Sequence, residues 1–178
     1  MKGCYEGWGD ERLRIKFITI RLTLWVMSWN KCFGKLYRVK ESSPGYVILE
    51  DGTFIVIRVV IGFIEEVGET PTGPDLRVAH RVFLYVEAPE RLKAEMRYKP
   101  LSTGEIIRRK EIWEVIGIKD RKAAYEECVF KASDGKTYRL RLEFEPSIVA
   151  RTLQYRDANY NPVYYIRWNV NQSLSLAE

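Results

Sequence analysis

Glu50-Asp51-Gly52-Thr53 followed by Phe54-Ile55-Val56-Ile57-Arg58-Val59-Val60-Ile61 decides the fold class. Asp-Gly supplies the positive φ values that a tight hairpin turn needs. The arms on either side, Tyr46 to Leu49 and Phe54 to Val67, are rich in β-branched and aromatic residues, which favour pleated strands. The second arm is apolar at consecutive positions, which predicts a central strand covered on both faces. A second Asp-Gly hairpin follows the same plan: Tyr125 to Ala132, then Ser133-Asp134-Gly135-Lys136, then Thr137 to Glu145.

Other strands are read outward from these two hairpins. Leu36 to Lys40 forms a short strand ending at Ser42-Ser43-Pro44-Gly45. Glu69-Thr70-Pro71-Thr72-Gly73-Pro74-Asp75 reads as a long polar loop before a strand from Leu76 to Glu87. On that strand Leu76, Val78, His80, Val82, Leu84 and Val86 share one face. Pro89 to Arg97 is the best helix, with Leu92 and Met96 four residues apart. Trp113 to Ile118 reads as a strand and Pro146 to Leu153 as a short helix. A turn-rich loop spans Asp157 to Pro162, and Val163 to Val170 forms the last strand. Together these predict a mainly β fold, a β-sandwich or partly open barrel of about nine strands with one or two short helices.

Asp51 and Asp134 lie 83 residues apart, and the segments around them follow the same order. This spacing fits an internal duplication, with pseudo-repeats at 33–88 and 105–170 inside one domain spanning 33–170. Residues 171–178 are expected to be a frayed tail. Residues 1–32 form an N-terminal arm. In it Leu13, Ile15 and Phe17, then Ile18, Ile20, Leu22, Leu24 and Val26, alternate with polar residues, with a phase shift that a β-bulge would explain. Met1 and Met27 are both possible starts.

Composition excludes more chemistry than it names. Of 178 residues, 29 are Lys or Arg and 24 are Asp or Glu, giving net charge +5 with a single histidine. The excess is concentrated in residues 90–178, with 17 basic and 13 acidic side chains. There is no P-loop, Rossmann glycine fingerprint, HExxH, EF-hand loop or nucleophile elbow. Nor does Glu-x-Lys, the spacing of many metal-dependent nucleases, occur anywhere. Cys4, Cys32 and Cys128 form no CxxC pair. They are read as free thiols of a cytoplasmic protein, with a disulfide between two of them as the alternative and with no metal and no cofactor. His80, sharing its face with apolar neighbours, is read as a core histidine hydrogen-bonded to backbone. Glu65, Glu66, Asp75, Glu126 and Glu127 are the carboxylates from which an enzyme would have to be built.

Binding is the better-supported class. Arg139 and Arg141 share one strand face, Tyr165 and Arg167 another, and Arg77, Arg81 and Tyr85 a third. Guanidiniums contact phosphates and tyrosine rings stack on bases, so single-stranded nucleic acid or a nucleoprotein is the expected partner. No catalytic residue is assigned. The runner-up is a structural subunit of a homo-oligomeric or virus-like assembly, pairing through the N-terminal strand with Trp8, Trp25 and Trp29 as anchors. A carboxylate-dependent enzyme ranks third. Arg108-Arg109-Lys110 and the group Lys119, Arg121 and Lys122 are further basic spots, read as solvated loops.

Glu50-Asp51-Gly52-Thr53, the Glu69 to Asp75 loop, Val149-Ala150-Arg151 to Tyr155-Arg156 and Pro162 to Trp168 resemble segments of small uncharacterised proteins of hyperthermophilic archaea. The resemblance covers residues 33–170. It implies a thermophile source, as do the 18 Glu and only two Gln, and it implies no activity or site residue.

Overall fold

The computed structural model describes residues 34–177, the side chains of Glu105 and Ile107 excepted. The expectations for residues 1–33, including the arm strand, the tryptophan anchors, Cys4 and Cys32, lie outside the described residues. Among the described residues, nine strands, one short α-helix and two 3-10 turns follow in chain order. They are β1 (Tyr37–Ser43), β2 (Gly45–Leu49), β3 (Phe54–Thr70), β4 (Gly73–Glu87), α1 (Glu90–Met96), the 3-10 turns Gly104–Arg108 and Lys110–Ile112, β5 (Glu114–Ile116), β6 (Ile118–Lys122), β7 (Ala124–Lys131), β8 (Thr137–Arg156) and β9 (Pro162–Leu176). They build two antiparallel sheets that do not close into a barrel. One runs β4-β3-β2-β6; the other runs β1-β7-β8, with β9 on the far side of β8 and β5 beyond the end of β7.

The sheets exchange strands at a corner. β1 and β2 are separated only by Pro44, and β6 and β7 only by Ala123. The two bent strands pair antiparallel along their whole length, from Tyr37 opposite Phe130 and Ser43 opposite Tyr125 to Tyr46 opposite Lys122 and Leu49 opposite Ile118. Each chain therefore leaves one sheet and enters the other at the same place. Gly45 fills the crossing, because a Cβ there would lie 2.5 Å from Ala124 N and 2.7 Å from Ala123 C. Buried Glu126 also ties the sheets here. Its Oε2 accepts the Ile61 N–H at 2.6 Å, and the Tyr37 hydroxyl donates to the Ile61 carbonyl at 2.5 Å. These bonds satisfy the edge of β3 where β2 has left it.

The two Asp-Gly turns have the same geometry. Gly52 N–H donates to Leu49 O and Gly135 N–H to Ala132 O; Asp51 Oδ1 accepts from Thr53 N–H and Asp134 Oδ1 from Lys136 N–H. Ile55, Ile57, Val59 and Ile61 of β3 face Tyr138, Leu140, Leu142 and Phe144 of β8 across a common core. Only this face of β3 is buried. Phe54 is 39% exposed and Arg58 is exposed, so the expected cover on both sides is corrected to one.

Three further expectations are corrected. Glu69 to Asp75 is not a long loop: β3 and β4 pair down to Thr70 opposite Gly73, joined by the two-residue turn Pro71-Thr72. Pro146 to Leu153 is not helical. β8 runs straight through Pro146, which sits where its ladder with β9 shifts and where β7 has ended and β5 not begun. A proline can lie there because no ladder donor is needed, and Arg121 Nη1 donates to its carbonyl at 2.7 Å. The tail is not frayed, since β9 pairs with β8 as far as Leu176 opposite Tyr138.

Cys128 is fully buried, and burial, with Glu126 and Glu127 nearby, pushes its thiol up to about 12. At pH 8 it is a buried neutral thiol. A thiol-reactive maleimide should leave Cys128 unmodified in the native chain and label it after denaturation, read by peptide mass mapping.

Candidate nucleic-acid interface

The seven Arg and Tyr positions singled out from sequence do not form one platform. The inner faces of both sheets meet in one core, so their outer faces point apart. Arg77, Arg81 and Tyr85 lie on the outer face of β4. Arg139 and Arg141 lie on the outer face of β8, and Tyr165 and Arg167 on that of β9. Carboxylates also neutralise three of the five arginines. Arg77 pairs with Glu65 at 3.1 Å, Arg139 with Glu127 at 3.4 Å and Arg141 with Glu143 at 2.7 Å. Arg141 also lies 3.6 Å over the Tyr125 ring. Glu65 and Glu127 reach their arginines from the neighbouring strand, and Glu143 reaches Arg141 from two residues along β8.

The carboxylates considered for catalysis are dispersed in the same way. Glu126 holds the β3 edge, Glu127 and Glu65 hold arginines, and Glu66 accepts the Ser133 N–H and pairs with Lys35 at 3.2 Å. Burial opposes ionisation of Glu66, but its bonds to Ser133 and Lys35 outweigh that and hold its carboxyl below the usual range. Asp75 lies exposed near the far end of β4. A cleft of about 320 Å³ opens beside Glu66, Glu69, Asp134 and Tyr138. There the Lys136 N–H and the Tyr138 hydroxyl hold the Asp134 carboxyl low. No cluster that could hold a metal ion occurs among the described residues.

His80 is not a core histidine. It is exposed at the sheet edge, its ring 4.9 Å from that of Phe144. The face assignment was right, but β4 is the outermost strand of its sheet, where the inner face is only half covered. Of the other basic spots, Arg121 is held by Glu145 and the Pro146 carbonyl, and Lys122 by Ser43.

A different basic surface assembles from two segments distant in sequence. Residues 97–111 carry five basic and two acidic side chains: Arg97, Lys99, Arg108, Arg109 and Lys110 against Glu105 and Glu111. The end of β8 anchors them. Arg156 N–H donates to Pro100 O at 3.0 Å, Ser102 N–H to Arg156 O at 2.8 Å, and Arg156 Nε to Lys99 O at 3.0 Å. These bonds stop the chain after α1 from lying free, and they fix Tyr98, 90% exposed, beside Arg97 and Lys99. Arg156 stacks on Tyr160, its guanidinium 4.5 Å from the ring centroid. Arg109 Nη1 donates to the Tyr155 hydroxyl at 2.9 Å. A recess of about 460 Å³ lies among Thr103, Ile106, Arg108, Arg109 and Tyr155. Tyr165 approaches this end through Trp113, with ring centroids 6.1 Å apart.

Among the described side chains, Arg109 has a carboxylate partner, Glu111 at 3.2 Å, while Arg97, Lys99, Arg108, Lys110 and Arg156 have none. Sequence reading noted Arg108-Arg109-Lys110 and set it aside. The signal it passed over was the alternation Arg97-Tyr98-Lys99 and the pair Tyr155-Arg156. Long-range contacts, the pairing of Leu101 with Arg156 and the bonds of Arg156 to Lys99 and Arg109 to Tyr155, bring these together.

No helix among the described residues is long and apolar enough to cross a membrane. Comparison with protein-family models, curated proteins and solved structures returned no match for this chain.

Proposed function

We propose that the protein acts by binding single-stranded nucleic acid at the basic end built from residues 97–110 and 155–160. The observation that carries this reading is the concentration there of cations without an acidic partner among the described side chains, interleaved with the exposed rings of Tyr98 and Tyr160. Lysine and arginine heads meet phosphates, and exposed tyrosines offer stacking surfaces that tolerate any base. Arg77, Arg139 and Arg141 serve the fold instead, since a guanidinium with a carboxylate beside it offers little net charge to a phosphate.

Anisotropy of a labelled single strand of about 12 nucleotides tests this. With about four phosphates neutralised, affinity falls with a logarithmic salt slope of roughly −3, so raising salt from about 50 to about 200 mM weakens binding about 50-fold. Replacing Arg108 and Lys110 together by alanine flattens the slope by about 1.4. The double variant of Arg139 and Arg141 leaves the slope unchanged. Absence of binding at the low-salt end, or loss of binding in the Arg139/Arg141 variant alone, rejects the reading.

A further inference from the structure

β4 is the outermost strand of its sheet among the described residues, and its free edge carries a register. Asn161, fully buried, shows which groups point outward. Its Nδ2 donates to Val86 O at 3.1 Å, and its Oδ1 accepts from Ala88 N–H at 3.0 Å. In an antiparallel strand the N–H and C=O of one residue point to the same side, and alternate residues point to opposite sides. The even-numbered residues of β4 therefore aim their backbone groups away from β3. Asn161 occupies this edge at Val86 and Ala88. From Leu76 to Leu84 the outward N–H and C=O groups have no partner among the described residues.

Natural edge strands are usually blunted by lysine, proline or a bulge. Between Leu76 and Leu84 β4 has no lysine and no proline. The register shifts against β3 come from extra residues on β3, Gly62 and Val67, so β4 itself stays regular. Phe83 is 56%, Leu84 45% and Tyr85 58% exposed along this stretch.

We infer that this edge pairs with the same edge of a second copy of the chain, antiparallel about a two-fold axis at His80. That register uses every free outward group from Leu76 to Leu84 and stops short of Asn161. It sets Leu76 opposite the partner's Leu84 and Val78 opposite the partner's Val82 on the inner face. On the outer face it sets Arg77 opposite the partner's Phe83, a cation over a ring. No two like charges are directly opposed. A register moved two residues toward Glu87 would need the Val86 carbonyl that Asn161 already binds. The two four-stranded sheets thereby become one continuous eight-stranded sheet.

Sedimentation velocity of the full chain tests the inference. The expected species has twice the 20.9 kDa chain mass. Two variants should abolish it while keeping the native circular dichroism spectrum. His80→Pro removes an outward donor at the axis without touching the β3 ladder, and Leu84→Lys places a charge at an exposed edge position. A wild-type monomer at high concentration overturns the inference, whether residues 1–33 or nothing covers the edge. A dimer that persists in both variants overturns it too, because another surface then holds the copies together.

Discussion

Gly45→Ala is expected to lower the unfolding free energy by about 3 kcal/mol or more, as overpacking against groups that cannot relax does. Chemical denaturation, read as a fall in midpoint at unchanged slope, is the measurement. The clash is with backbone: the new Cβ would meet Ala124 N at 2.5 Å, Ala123 C at 2.7 Å and the Lys122 carbonyl oxygen. A side-chain neighbour could rotate away, but here the opposing atoms belong to the other bent strand, at the point where both change sheets. Moving that strand would disturb the ladders on both sides of the corner. Gly104→Ala is the matched control. Nothing lies within 4 Å of a Cβ there, so the change should stay within about 0.5 kcal/mol. Equal effects at the two positions would mean that the crossing is not as tight as described.

The second large effect is expected at Arg151. Its Nη1 donates to Asp51 Oδ2 at 2.7 Å, with the two side chains only 13% and 8% exposed. Burial opposes the charge on Arg151, but the bonds to Asp51 and Glu114 more than offset it and raise its affinity for the proton. Asp51 belongs to the hairpin turn of one sheet and Arg151 to β8 of the other, so the pair joins them. The Tyr164 hydroxyl, 2.7 Å from Thr53 Oγ1 and 3.4 Å from Asp51 Oδ2, closes the group. Arg151→Met leaves the Asp51 carboxylate buried without its counter-charge. Breaking a buried pair from one side costs about 3–5 kcal/mol. At about 2–4 °C per kcal/mol for a chain of this size, the melting temperature should drop on the order of 10 °C. Adding Asp51→Asn removes the orphaned charge and should recover roughly half of the loss. A double variant less stable than Arg151→Met would show that Asp51 contributes through its charge to something other than Arg151.

Local signals in the sequence were reliable where one interaction decides conformation. Asp51-Gly52 and Asp134-Gly135 specify their turns, and Leu92 with Met96 specifies the buried face of α1. Signals that depend on a partner strand were misread. Pro146 looked like a helix start because its ladder partner, Trp168 on β9, lies far away in sequence. Pro71-Thr72-Gly73-Pro74 looked like a loop because nothing local reveals that β3 and β4 continue pairing to its very tip. His80 was given the right face but the wrong environment, since an edge strand reads the same as an inner one. The candidate site followed the same rule. The arginine rows were visible as alternation, and so was Glu143 on the face of Arg139 and Arg141, but the pairing of Arg77 with Glu65 and of Arg139 with Glu127 is a matter of register. The basic end was divided between two segments about 50 residues apart, joined by the bonds of Arg156 and by that of Arg109 to Tyr155.

The most direct test of where ligand binds is an amide chemical-shift titration of the full chain with a single-stranded oligonucleotide. Shifts clustered at residues 97–110 and 155–160, with β7 and the first half of β8 unmoved, are the predicted result. Shifts centred on Arg139 and Arg141, or none at any ligand ratio, would contradict it.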